Sequence, residues 1–184
     1  MSYHTGNNLV DPYLLFEKAR LRSGMQVADF GAGRTGHIVF PAGAIVGETG
    51  IVYAVDVLKD VLESIKKRAN MEGRENIHTV WADFEKSGGV SIPAGSLDAV
   101  FMVNVLFHAA DCCDPLHEAA RLLRNKSRIV AVDWMKRLSN LGPTEDKMVN
   151  FSRIIAWARD NGFGVQEDAA VSPYHRCLVL YKND

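Results

Sequence analysis

The chain has 184 residues, enough for one domain of ordinary size and too few for two full ones. Hydrophobic residues make up 47% and charged residues 23%, which excludes a disordered chain and allows a core that needs neither metal nor disulfides. The formal net charge of −1 gives no bulk attraction to nucleic acid or anionic lipid, and three cysteines, two of them adjacent, do not make a disulfide framework.

The first residues, MSYHTGNNLVDPY, have neither the basic lead nor the apolar core of a secretion signal. No apolar run approaches the roughly 18 residues that span a bilayer, so a soluble, cytoplasmic protein is expected. Asp11-Pro12 reads as an N-cap followed by proline at the first helical position. A helix carrying Tyr13, Leu14, Phe16 and Leu21 then runs to Ser23-Gly24. Gln26 to Phe30 is a short buried strand ending in a glycine-rich turn. Gly36 to Val46 reads as a helix that Pro41 kinks. Ile51 to Asp56 is a second apolar strand with an acidic end. Lys59 to Met71 is an amphipathic helix, with Val61, Leu62, Ile65 and Ala69 on one face. Ile77 to Trp81 and Leu97 to Val103 are strands three and four. Pro115 to Leu123 is a helix with Asp114 as its cap, Arg128 to Asp133 is strand five, and Val149 to Asn161 is a helix closed by Gly162. Phe163 to Asp168 and Cys177 to Lys182 are two late strands. The Ala169–Arg176 stretch between them is too short for a parallel crossover, so they pair antiparallel.

Near-continuous apolar strands alternating with helices indicate an α/β fold, a doubly wound and mostly parallel sheet with helices on both faces. The turn Asp29-Phe30-Gly31-Ala32-Gly33-Arg34-Thr35-Gly36 contains G-x-G-x-x-G. It follows the first strand directly, and Asp56 lies 20 residues past Gly36 at the end of the second. Such a turn lets a ligand approach the backbone closely, and the carboxylate at the second strand end is placed to accept both ribose hydroxyls of an adenosine.

Two cofactor classes use this geometry, dinucleotides and S-adenosylmethionine. Asp29, two residues before the first glycine, repels a pyrophosphate and welcomes an ammonium. Asp83, after strand three, is an acceptor for an adenine amino group. A second catalytic domain has no room, and no Tyr-x-x-x-Lys pair of a short-chain dehydrogenase exists. These details favour S-adenosylmethionine. A nucleotide-dependent oxidoreductase using NAD(P) and a non-catalytic, cofactor-binding regulatory domain are the alternatives.

The segments VADFGAGRTGH, VYAVDV, WADFEK, LDAVFMVNVLFH, RIVAVDWMK and the NGF…CLVLYK ending together resemble a class I S-adenosylmethionine-dependent methyltransferase. Within that class the chain is most similar to the small-molecule, ubiquinone/menaquinone-type group. The resemblance covers about Val10 to Lys182. It implies a seven-stranded sheet of order 3-2-1-4-5-7-6 whose last strand is antiparallel, in a single domain over residues 1–184, with residues 1–22 as an N-terminal lid and helix. It also implies cofactor contacts at Asp29, Gly31, Gly33, Gly36, Asp56, Val57, Asp83, Phe84 and Asn104, and it places His108 near the methyl acceptor. Asp133, at the end of strand five, falls where strand ends line the ligand crevice and is the second candidate catalytic residue. Thr35 stands where the usual third glycine would be, which implies a wider loop. Asn125-Lys126-Ser127 replaces the usual Pro-Gly-Gly before strand five.

Other chemistries fall away. His117-Glu118 begins H-E-x-x-H, but Arg121 takes the second histidine's place. Cys112-Cys113 lacks the spacing of a zinc or redox motif and reads as helix-start packing, so no metal is expected. No G-x-S-x-G exists. The stretch after strand four, Asn104-Val105-Leu106-Phe107-His108, lacks the Asn/Asp-Pro-Pro-aromatic motif of enzymes that methylate DNA bases or glutamine amides. A small-molecule acceptor is expected, chosen by residues 2–9, 135–146 and 169–176.

Overall fold

The computed structural model describes residues 9–184. Asp11 caps α1 (Pro12–Ala19), its carboxylate accepting from Tyr13 N at 2.9 Å. The chain then forms β1 (Gln26–Phe30), α2 (Val39–Val46), β2 (Ile51–Asp56), α3 (Lys59–Met71), β3 (Ile77–Trp81) and β4 (Leu97–Val103). It ends with α4 (Asp114–Leu122), β5 (Leu123–Trp134), α5 (Phe151–Asp160), β6 (Phe163–Ala170) and β7 (His175–Lys182). One seven-stranded sheet has the order β3-β2-β1-β4-β5-β7-β6. The first five strands are parallel, and β7 runs antiparallel to both neighbours.

Alternation along the strands supplies a core on each face. Ala28 and Phe30 of β1 and Ile129 and Ala131 of β5 point to the layer of α4 and α5, with Leu116, Ile154 and Trp157. Val27 of β1 and Val130 and Val132 of β5 point to α1, α2 and α3, with Phe16, Val39, Val46 and Ile65. No helix joins β3 to β4. The connection instead buries Phe84, Val90 and Ile92 in the first layer. Its backbone is held by the fully buried Glu118 of α4, which accepts from Gly88 N and Val90 N at 2.9 Å each.

Several boundaries differ from the sequence pattern, and β5 starts at Leu123 rather than Arg128. α2 starts at Val39 rather than Gly36, so Pro41 sits in its first turn, where a missing N–H costs nothing and no kink follows. Asp114 is the first residue of α4 rather than its cap, and Asp111 accepts from Cys113 N at 2.9 Å instead. α5 begins at Phe151, capped by Asn150, which accepts from Arg153 N at 3.2 Å. β6 and β7 are longer than expected and meet at a turn over 171–174.

Candidate cofactor and acceptor site

The sheet order reverses between β1 and β4, so the chain leaves these neighbours toward opposite faces and a crevice opens beyond their C-terminal ends. The glycine loop starts as a continuation of the ladder, with Gly31 N and Ala32 N donating to Val55 O at 2.9 and 3.2 Å. Its three glycines serve different ends. A Cβ on Gly31 would lie 2.7 Å from Val105 Cγ2, and one on Gly36 would lie 2.7 Å from the Phe40 ring, so both permit close packing inside the protein. Gly33, at φ +61°, has nothing within 4 Å of where its Cβ would be. Open space therefore stands above Gly33 alone of the three. Asp56 fixes the loop from below, accepting from Gly33 N at 3.2 Å and Leu58 N at 3.0 Å.

Asp29 is 3% exposed. Burial, and then the neighbouring charge of Asp56, push its carboxyl up to about 8. Asp83 is partly exposed and accepts from Glu85 N at 3.1 Å. Lys86, 3.1 Å from its other oxygen, and that backbone bond hold its carboxyl below the usual range. Val57 is exposed and its carbonyl accepts from Trp81 Nε1 at 2.9 Å. Phe84 is a core side chain, stacked on Phe30 with ring centroids 5.0 Å apart, which leaves only its backbone to meet a ligand. Asn104 lies at φ +56°, and its buried Oδ1 has no hydrogen-bond partner among the described residues.

On the other side of the crevice the expectation for Asp133 requires correction. Its side chain is wholly buried. Oδ2 accepts from Leu106 N at 3.0 Å and Phe107 N at 3.3 Å, and Oδ1 accepts from Trp134 N at 2.8 Å. The carboxylate so enclosed brackets the 3-10 turn Leu106–His108 onto the end of β5. Burial raises it to about 6 against the pull of those N–H groups. Trp134 fills the rim, 4.2 Å from the His175 ring between centroids and in van der Waals range of Gly142.

His108, the last residue of that turn, is exposed and lines a recess of about 660 Å³ with Phe107, Cys112, Thr144, Lys147 and Arg153. Arg153 reaches the recess from the first turn of α5 and pairs with Asp111. Lys147 and Arg153 escaped the sequence reading because nothing in their spacing ties them to His108. Of the stretches expected to choose the acceptor, 135–146 supplies Pro143, Thr144 and Asp146, and 169–176 supplies none of the lining. Residues 2–8 lie outside the described residues. Asp111, Cys112 and Cys113 bring their ligand atoms within 4.8 Å of one another. The carboxylate among them is already taken by Arg153 and Cys113 N, and burial raises both thiols.

The methyltransferase-domain family matches residues 21–162. The chain belongs to that family. A probable cobalt-precorrin-6B C(15)-methyltransferase (decarboxylating) from Sulfurisphaera tokodaii is 35% identical to this chain over 89 residues. The match takes in 48% of this chain and 45% of that protein, less than half the relative's length. A SAM dependent methyltransferase from Aquifex aeolicus superposes with a TM-score of 0.83 at 23% identity, covering 95% of this chain and 91% of that one. A putative type 11 methyltransferase from Sulfolobus solfataricus does so with a TM-score of 0.72 at 21% identity, covering 96% and 94%. At these identities the two structures establish the fold. None of the three singles out the ubiquinone/menaquinone-type group, and none supports the dehydrogenase alternative. The residues present fit the S-adenosylmethionine that the sequence implies. Gly33 leaves the space a closely approaching ligand requires, and Asn104 Oδ1 is a buried acceptor awaiting a donor. No helix among the described residues is long and apolar enough to cross a membrane.

Proposed function

We propose that this methyltransferase methylates a small-molecule acceptor held in the recess behind His108. The observation that carries the reading is the size and position of that recess. At about 660 Å³ it falls within the range of small-ligand cavities, roughly 300–1,000 Å³, and it adjoins the crevice where the β4 and β5 ends meet. The precorrin methyltransferase relative, named for a small-molecule substrate, supports it.

When bound, the cofactor supplies a methyl group already activated on a sulfonium. Its holders in this reading are the backbone of Gly31 and Gly33, with Asp56 for the ribose hydroxyls, Asp29 for the ammonium and Asp83 for the adenine amino group. Asn104 Oδ1 and the backbone near Val57 and Phe84 complete the cradle. Gly36 acts from behind, by letting the loop pack on Phe40. The protein's task is then alignment and exclusion of water. His108 presents an imidazole that can take a proton at a ring nitrogen from an acceptor that must lose one. Asp133 is a positioning residue, fixing the backbone that carries His108. Incubating the chain with radiolabelled S-adenosylmethionine and a cell extract tests the reading. Label is expected in the small-molecule fraction and is expected to fall at least tenfold with His108→Ala. Label confined to protein or nucleic acid would overturn the small-molecule acceptor.

A further inference from the structure

The opposite edge of the sheet carries a second constellation that methyl transfer does not use. Arg20 and Arg22, from the connection between α1 and β1, meet Arg124, Lys126 and Arg128 of β5 around a recess of about 420 Å³. A second recess of about 380 Å³ shares Arg20 and Arg128 with it and extends the cleft to Gly164, Gln166 and Tyr181. These are N-terminal ends of β1 and β5, the start of β6 and the end of β7, all remote from Gly33 and Asp56.

Five basic side chains line the first recess against one carboxylate, Asp98. That carboxylate is committed, accepting from Gln26 N at 2.8 Å and pairing with Arg124 at 3.3 Å. Lys126 pairs with the exposed Asp184 at 3.4 Å. Among the described residues, Arg20, Arg22 and Arg128 have no acidic partner, and residues 1–8 contain neither Asp nor Glu. Arg128 is the unusual member. It is only 9% exposed, its Nε donates to the neutral Gln166 Oε1 at 2.8 Å, and its guanidinium lies 5.0 Å over the Tyr181 ring. Those contacts hold the fork in one orientation, and among the described residues no carboxylate meets its terminal nitrogens. Burial, and then the charges of Arg20 and Arg22, hold Arg128 below the usual guanidinium value, so the cluster is short of negative charge. A buried cation is stable when paired, and several forks converging on a recess suit tetrahedral oxyanions better than a single carboxylate.

We propose that this cleft, lined by Arg20, Arg22, Arg124, Lys126 and Arg128, is an anion site that takes a compact di- or triphosphate group. The cations gather around one partly open recess instead of continuing as a stripe along one element, which favours a small polyanion over an extended nucleic-acid backbone. Calorimetric titration of the full chain with tripolyphosphate, pyrophosphate and orthophosphate at matched ionic strength tests it. Tripolyphosphate is expected to bind at least tenfold more tightly than orthophosphate. Arg20→Gln, at an exposed position where folding is not at risk, and Arg128→Gln are each expected to weaken it at least tenfold. Affinity for S-adenosylhomocysteine is expected to stay within twofold of wild type in both, which separates this site from the cofactor crevice. No tripolyphosphate binding by the wild type, or binding unaffected by Arg20→Gln, overturns the proposal. Two further arms decide the source of the phosphate. Tighter retention on phosphatidylinositol-phosphate vesicles, or on a single-stranded RNA, than by tripolyphosphate would also overturn the compact ligand.

Discussion

The two edges of the parallel sheet carry opposite charge and handle it differently. At the C-terminal edge Asp29, Asp56 and Asp83 lie around the crevice, and Asp133 is buried at the end of β5. Two of them, Asp56 and Asp133, spend their oxygens on backbone N–H groups of neighbouring loops. At the N-terminal edge the arginines gather without comparable partners. The contrast shows that like charges at a sheet edge persist for different reasons. Carboxylates can be absorbed by the loop backbone, because loops leaving strands expose N–H donors. Guanidiniums need oxygens, and among the described residues at this edge Asp98 and the Ser96 carbonyl meet Arg124 while the Gln166 amide meets Arg128.

Asp133→Ala should produce the largest effect. Three backbone donors lose their buried acceptor, so a loss of about 3 kcal/mol or more in unfolding free energy is expected by urea denaturation. Asp133→Asn keeps one acceptor oxygen and should recover part of it. In the folded fraction turnover should fall more than cofactor affinity. Unchanged stability would place Asp133 with the unpartnered charges rather than the absorbed ones.

Asp56→Ala comes next, with S-adenosylhomocysteine affinity expected to fall by about 1.5–3 kcal/mol in calorimetry. Gly33→Ala sharpens the point. It meets no atom of the protein, so its stability cost should be only about 1–2 kcal/mol from the left-handed φ, while ligand binding should be lost. Gly31→Ala should instead lower stability through its collision with Val105.

Asp29 offers a pH test. Its carboxyl is raised to about 8 in the free protein, so the folded state keeps a proton that the unfolded state has released. The stability this contributes is full below about pH 4 and is lost as pH rises through about 8. A ligand ammonium near Asp29 favours the charged form, so S-adenosylhomocysteine affinity should rise with pH, by less than tenfold per unit, and level off above pH 8. Asp29→Asn should flatten both profiles, and a wild-type affinity independent of pH would separate Asp29 from the ammonium.

The smallest effect is expected at the basic edge. Arg20→Gln removes one charge from a repelling group and should stabilise the free protein by about 0.5 kcal/mol at low salt, with the gain vanishing near 1 M salt. A destabilised variant would mean that Arg20 is already paired.

What the sequence determined by itself is what short-range rules control. Near-continuous apolar runs marked the strands, Asp11-Pro12 marked a helix start that the structure keeps, and the glycine turn with Asp56 marked the strand end and loop beside the crevice. These depend on backbone geometry within a few residues, so they are legible in one dimension. The tertiary structure alone decided the rest. Gly31, Gly33 and Gly36 look equivalent in the motif, and only the neighbours Val105 and Phe40, absent at Gly33, distinguish them. Asp133 looked like a strand-end carboxylate facing ligand, and only the loop from β4 folding over it revealed a bracket. Arg20 and Arg128 belong to segments that no spacing connects. They meet because α1 packs on β5, which carries Arg128 near its N-terminal end beside β7, a consequence of strand order, and strand order follows from how the whole sheet is buried.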